Sequence, residues 1–336
     1  MNYKSLLLLT TLVVMYLSCS NTSPSENQQS SISTKGSSKN LDCKNGRFET
    51  DIFTHLKMHD NVIYGRNITM QKKTIDLKMD IFEPEEDKAL LRPLVIWAHG
   101  GYFCFGDKSD FHGLCEFVTR KGWVSASIDY RKWRKRQMPD QVEYMETAIR
   151  ATHDLHAAIR FFKADAAGKN LYKIDTNKIF VGGYSAGGIM AAQVAYLDLM
   201  EEVPSDIQNI LKRNGGIKGN SGHSKHTSNI AGSIVIAGAV YDKNIIEEGA
   251  HPPFLGIQGT QDEIVPYRRD WARSPIGTQV IELDGTAVIN QINNELNYPS
   301  TLLSLRRGDH NAAWDELWFV RTKEYIHKFL LTNTCP

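Results

Sequence analysis

A serine set between glycines is the first residue of this sequence placed for chemistry. Gly183-Tyr184-Ser185-Ala186-Gly187-Gly188 follows an apolar run at 179–182 and opens a helix-forming stretch, Ile189-Met190-Ala191-Ala192. A sharp strand-to-helix turn leaves no room for side chains at the flanking positions, so glycine suits 183 and 187. Such a turn would lift the Ser185 hydroxyl above a sheet, and the helix behind it would aim free N–H groups at the reacting centre. Taken alone, G-x-S-x-G also describes a glycine-rich turn that holds an ordinary serine.

A second glycine segment narrows the choice. His99-Gly100-Gly101-Tyr102-Phe103 comes directly after the apolar run 94–98. Attack on an ester carbonyl makes an oxyanion that needs two or three donors already in place, and losing one costs about 100- to 1000-fold in rate. The expected donors are the N–H groups of Gly101 and Ala186, with Tyr102 as a candidate third, while Gly100 permits the turn. A serine nucleophile on a strand–turn–helix then needs its acid and base in the chain order Ser, Asp, His. Residues 256–266 read as a strand, a glycine turn and then Asp262, and Gly308-Asp309-His310 follows the apolar run 302–305. His310 is the expected base, and Asp262 the carboxylate that holds its tautomer and stabilises the imidazolium. Glu263 is the adjacent rival for that role. Asp309 is next to the base in sequence, but adjacent side chains point apart. This chemistry calls for no metal and no cofactor.

The elements that must carry these residues are visible as periodicity. Short unbroken apolar runs at 94–98, 124–128, 179–181, 234–236, 254–257 and 302–305 read as buried strands. Helical spacing recurs between them, most clearly at about 140–166 and about 314–331. Uninterrupted apolar strands alternating with helices imply an α/β domain: a doubly wound, mostly parallel sheet with helices on both faces. One Gly- and Ser-rich segment, 213–228, interrupts the alternation and reads as a mobile excursion near the site mouth. Its His223 and His226 read as solvated loop residues, because no Cys or acidic cluster accompanies them.

At this point the sequence resembles a known group. HGGYF at 99–103, DYR at 129–131, GYSAGG at 183–188, GTQDEIVP at 259–266 and GDH at 308–310 look like the α/β-hydrolase superfamily. They most resemble its carboxylesterase branch, which includes bacterial esterase/lipases and feruloyl or acetyl esterases. The resemblance runs over about residues 70–331. It implies the α/β-hydrolase fold, a Ser185–Asp262–His310 triad and hydrolysis of acyl esters on small or glycan-linked molecules. It also implies a structural pair between Arg131 and Asp154. Two departures lie toward the substrate end: Tyr102 stands where many relatives have a third glycine, and a basic loop, 131–136, replaces a Pro-containing turn. That basic loop reads as a solvated surface, with a charged rim for acidic glycans as the sharper alternative. GYSAGG is also similar to the nucleophile segment of the prolyl-peptidase branch, which makes a serine peptidase the rival enzyme. A non-catalytic binding module on the same fold is the rival from another class; such modules typically lose the Ser or the His.

Composition sets the surroundings. The chain has 336 residues, is 41% hydrophobic and 23% charged, and carries a net charge of +1, so nothing global argues for a nucleic-acid partner. Lys4 followed by an apolar run at 6–17 fits a secretory signal peptide over 1–18, too short to span a bilayer comfortably. Leu17-Ser18-Cys19 resembles a bacterial lipoprotein cleavage site, implying lipidation of Cys19. The polar stretch that follows, 19–40, cannot offset its ordering entropy by apolar burial and reads as a flexible tether. Residues 41–336 then form one catalytic domain, exported and held on the membrane of a bacterial cell envelope only through the lipid. Four further cysteines in an exported chain predict two disulfides, and four allow three pairings. The favoured ones are Cys43–Cys335, tying the ends of the folded part, and Cys104–Cys115, a short local loop.

Overall fold

Among the described residues, eight strands form one sheet whose order places the strand leading into Ser185 at its middle. The computed structural model describes Cys43 and residues 46–134, 137–274 and 276–335. The expected signal peptide 1–18, the Cys19 lipidation and the tether 19–40 lie outside the described residues, as do Lys135 and Arg136 of the basic loop.

In chain order, two antiparallel strands come first, β1 (Leu56–Ile68) and β2 (Thr74–Pro84), then β3 (Arg92–Ala98). Helix α1 (His112–Thr119), β4 (Val124–Ile128), the long α2 (Gln141–Ala167) and β5 (Ile174–Tyr184) follow. Next are α3 (Ala186–Tyr196), α4 (Ser205–Arg213), β6 (Gly232–Ile236) and the short β7 (Ala239–Val240). The chain ends with β8 (Phe254–Gly259), β9 (Arg269–Arg273), β10 (Gln279–Gly285), α5 (Thr286–Glu295), β11 (Ser300–Leu305) and α6 (Glu316–Thr334). The main sheet has the order β1-β2-β4-β3-β5-β6-β8-β11. β1 pairs with β2 and β2 with β4 antiparallel, whereas every pair from β4 to β11 is parallel. The doubly wound, mostly parallel sheet expected from the sequence is therefore present; every residue of β3, β4, β6 and β8 is buried, whereas the run expected as a buried strand at 302–305 is the partly exposed edge strand β11.

Two cores flank the sheet. On one face α2, α3 and α4 pack over Leu94, Ile96, Val181 and Val235. On the other, α1 and α6 pack over Val95, Trp97, Phe180 and Ile234. The alternation of β3 side chains between these two faces is the period-2 geometry of a strand covered on both sides. Cys43–Cys335 is formed, with Cα atoms 5.8 Å apart, and fixes the end of α6 to the chain entering the domain. The same entry segment is also held by Phe48, whose ring lies 4.6 Å from that of Trp123 and whose carbonyl faces His327 Nε2 at 2.6 Å.

The second expected disulfide is corrected. Cys104 and Cys115 are both free and buried. Cys115 is on the inner side of α1 in the core with Phe111 and Trp123, whereas Cys104 lies among Tyr102 and Tyr144 on the α2 side. Burial pushes the Cys104 thiol up to about 11 and that of Cys115 to about 12, so both stay protonated and inert at neutral pH.

The segment between α4 and β6 also departs from expectation. Instead of standing free, it is fastened across β1 and α2. The Arg66 N–H donates to Ser221 O (2.9 Å), the Ser221 hydroxyl to Asp154 (2.7 Å) and Arg160 Nε to Gly222 O (2.9 Å). Short polar side chains and glycines made the segment read as a loop; buried partners on α2 are what hold it.

Candidate active site

β5 ends in the turn that carries Ser185. Ser185 has φ 54° and ψ −117°, a strained conformation that lifts its side chain off the strand direction. The glycines make that turn sterically possible. A Cβ on Gly183 would lie 2.3 Å from the Gly187 carbonyl, and one on Gly187 would lie 1.9 Å from the Ala98 carbonyl oxygen. The elbow is also tied to the next strand, because the Ser185 N–H donates to Ile236 O at 2.9 Å.

The expected base and acid arrive from neighbouring loops. Gly259 ends β8 and Gly308 follows β11, and the two loops touch so closely that a Cβ on Gly259 would meet the Asp309 carbonyl at 2.2 Å. The Ser185 hydroxyl donates to His310 Nε2 across 2.9 Å. His310 Nδ1 faces both carboxylate oxygens of Asp262, at 3.0 and 2.9 Å. Asp262 Oδ1 further accepts the backbone N–H groups of Ile264 and Val265, each at 3.0 Å. Its rival Glu263 is exposed, while the Asp262 side chain is fully buried. Asp309 turns away and accepts the Asn311 N–H at 2.8 Å.

The structure adds two side chains that sequence reasoning passed over. Gln258, fully buried on β8, donates from Nε2 to Asp262 Oδ2 (3.1 Å) and to Val265 O (2.8 Å). Its Oε1 accepts the Thr286 hydroxyl at 2.7 Å, which fixes the amide with its donor end toward the carboxylate. The available signal was a lone polar residue inside the apolar run of β8, four positions before the acid. Tyr184 is the second: its ring lies 5.2 Å from the His310 ring and its hydroxyl donates to Asn311 Oδ1 at 2.6 Å.

On the opposite side of Ser185 lies the loop after β3. Gly101 takes φ 105°, and Tyr102 and Phe103 take 55° and 56°. The Gly101 carbonyl accepts the N–H groups of Cys104 (2.9 Å) and Phe105 (2.8 Å), closing a tight turn. Tyr130 donates its hydroxyl to His99 O at 2.8 Å, and the Trp133 N–H donates to Phe103 O at 2.8 Å. These bonds, with no disulfide at Cys104, fasten the loop. Among the described residues no backbone carbonyl takes the N–H of Gly101 or Tyr102, and Ala186, as the first residue of α3, has no helical acceptor for its own.

The basic loop splits. Arg131 is buried on Asp154 (2.8 Å), as the resemblance implied, and Lys132 is buried with its ammonium on the carbonyl of Gly106. Both cations are consumed by architecture, which leaves Arg134 as the exposed charge among the described residues of the loop.

One recess is lined by site residues, and a second reaches the helix that follows Ser185. An apolar cavity between α2, α3 and α4 is lined by Tyr144, Ile149, Ile189, Leu211 and Leu283, with Ile189 one helical turn beyond Ser185. An open polar groove flanks His310, bounded by the Asp262 loop, the loop before α6 and strand β9.

Comparisons with known proteins bear on the fold and on the kind of protein the sequence resembles. A family model described as BD-FAE matches residues 79–221. Arylacetamide deacetylase of Bos taurus is 29% identical over 137 residues, covering 38% of this chain and 31% of that protein. Lipase 2 of Moraxella sp. (strain TA144) is 32% identical over 111 residues, 33% of this chain and 23% of that one. The chain thus spans about a third or less of the length of these curated relatives. Among solved structures, Thermogutta terrifontis esterase 2 phosphorylated by paraoxon superposes with TM-score 0.58 at 18% identity, covering 83% of this chain and 95% of that one. A truncated carbohydrate esterase from gut microbiota superposes with TM-score 0.57 at 17% identity, covering 84% and 98%. The fold is that of the α/β-hydrolases, and the matches fall on proteins named as esterases, a deacetylase and a lipase.

Proposed function

We propose that this α/β-hydrolase is a serine carboxylesterase that cleaves acyl esters of small or glycan-linked alcohols through an acyl-enzyme. The observation that carries the reading is the continuous 2.9 Å contact of Ser185 Oγ with His310 Nε2, backed by Asp262 on the far ring nitrogen. His310 takes the hydroxyl proton as Ser185 Oγ forms its bond to the ester carbonyl carbon. The carbonyl electron pair moves onto oxygen, which accepts hydrogen bonds from the N–H groups of Gly101, Tyr102 and Ala186. When the C–O bond to the alcohol breaks, His310 returns its proton to the departing oxygen. Water then repeats the sequence on the acyl-enzyme, giving its proton to His310 and releasing the carboxylic acid. Asp262 stays ionised throughout and stabilises the imidazolium.

The apolar cavity beside Ile189 suits a short acyl or a feruloyl group, and the polar groove beside His310 suits the alcohol. In the cell, residues 41–336 act as one catalytic domain on a lipid anchor at Cys19; envelope fractionation that finds a free protein trimmed beyond Cys19 contradicts the anchor. The function is tested with p-nitrophenyl esters of graded acyl length beside acetylated and feruloylated glycans. Hydrolysis of at least one class, preferring short or aromatic acyl groups, is expected; inertness toward all of them contradicts the reading.

A further inference from the structure

The chain carries six tryptophans, and one of them has no internal work. Among the described residues the other five each engage a ring, a cation or a hydrogen-bond acceptor. Trp271 has only its backbone N–H occupied, by Asp270 Oδ1 at 2.7 Å, and its indole is half-buried with neither ring partner nor acceptor. A large aromatic surface left half-exposed at a recess is the kind of group ligands use.

Its location gives the vacancy meaning. Trp271 is the middle residue of β9, on the hairpin inserted between the Asp262 loop and α5. It pairs with Glu282 of β10 and lines the same groove as His310. Its strand neighbour Arg269 is spent on the hairpin itself, bonded to Glu282 and Asp284 at 2.9 Å each. The groove's remaining polar groups are mixed in sign. Arg273 and Arg307 offer donors, while Glu263, Asp270 and Asp309 offer acceptors.

We propose that Trp271 is the platform on which the leaving alcohol of the substrate stacks, and that this alcohol is a neutral sugar. The proposal rests on the esterase reading above, because only there does a proton pass from His310 to a departing alcohol and so place that alcohol on the His310 side. A sugar ring presents an apolar C–H face to an indole and hydroxyls that both donate and accept. An aryl alcohol would leave the surrounding charges without partners. An acidic sugar would meet three carboxylates against two guanidinium groups, which disfavours it.

The test compares three acetate esters of different alcohols, so that the acyl half of the reaction is constant: ethyl acetate, phenyl acetate and a methyl glycoside carrying one O-acetyl group. Acetate release is followed at constant pH for wild type, Trp271→Ala and Trp271→Phe, with melting temperatures as a check on folding. Trp271→Ala should lower kcat/KM on the glycoside ester roughly tenfold, mainly through KM, and by no more than about threefold on ethyl acetate. Trp271→Phe should recover most of the loss. Equal losses on all three esters, or none on the glycoside, overturn the platform. A loss confined to phenyl acetate reassigns the platform to an aryl alcohol and overturns the sugar. Wild type active on ethyl acetate with no gain from the sugar leaves the esterase standing and removes this inference. Wild type inert toward all three removes both.

Discussion

The Ser185 elbow and the β9–β10 hairpin flank the same histidine, yet they are built on opposite terms. The elbow has no freedom: its glycines lie where an added Cβ would overlap backbone carbonyls at 1.9–2.3 Å, and its serine is held at φ 54° by the strands on either side. The hairpin has freedom to vary. β9 is half-exposed, with Ala272 its one buried residue, the hairpin is held at its base by the pairing of Asp284 and Gly285 with β7, and Trp271 has no ring or hydrogen-bond partner for its indole among the described residues. Reaction geometry must be fixed to fractions of an ångström before substrate arrives, whereas selection among alcohols needs only a surface near the departing oxygen. On the esterase reading, the contrast separates the part proposed to perform the chemistry from the part proposed to choose its object.

The sharpest way to break that contrast is to insert one methyl group on each side. Gly187→Ala forces a Cβ toward the Ala98 carbonyl and must displace the elbow or β3. A displacement near 1 Å costs about 100-fold in rate, so hydrolysis of a simple p-nitrophenyl ester should fall at least that far. Thr278→Val, on the exposed side of the hairpin, should leave the same assay within twofold. Similar losses for the two would erase the distinction.

A smaller effect is expected one step behind the catalytic atoms. Gln258→Leu removes a neutral donor to Asp262 and strands the Thr286 hydroxyl and the Val265 carbonyl. We expect kcat to drop by about 10- to 100-fold with KM within twofold, because the carboxylate loses orientation but the groove is untouched. The most downfield proton resonance, from His310 Nδ1–H, should move or broaden. An unchanged resonance with unchanged kcat would reduce Gln258 to a packing residue.

The smallest effect on catalysis should come from the disulfide. Cys43→Ser/Cys335→Ser opens a bond with a sequence separation of 292 residues, at the opposite end of α6 from the loop that carries His310. Loss of such a bond lowers stability by about 2–5 kcal/mol. The melting temperature should therefore fall by several degrees or more while kcat/KM at 25 °C stays within twofold. A large loss of turnover at unchanged melting temperature would connect the bond to the site.

How much of this was legible in the sequence follows the same division. Steric necessity writes itself into residue types, so the elbow, the loop after β3, and the order of Ser185, Asp262 and His310 could be read directly. Strands buried on both faces also announce themselves as unbroken apolar runs. β1 and β2 did not, because β1 is edge-exposed, mixes His59, Asp60 and Asn61 into its middle and carries a register shift there. β9 and β10 hid for a related reason: one face is polar and solvated, and Arg269-Asp270-Trp271 carries no apolar period. Gln258 was passed over because a glutamine in a strand looks the same whether it faces water or a carboxylate, and only its apolar neighbours mark it as buried. The Cys104–Cys115 pairing failed because short sequence separation says nothing about which side of a sheet two thiols occupy. Lys132 read as surface charge because composition cannot show that a carbonyl lies waiting behind it.

The central claim is that Ser185 is the nucleophile, and covalent labelling addresses it most directly. The purified protein is treated with paraoxon, digested and mapped by mass spectrometry, beside the Ser185→Ala variant. The account predicts one diethylphosphoryl group on the peptide containing Ser185, appearing in step with loss of hydrolysis, and no adduct on the variant. Stoichiometric labelling of another residue, or full ester hydrolysis by Ser185→Ala, would contradict it.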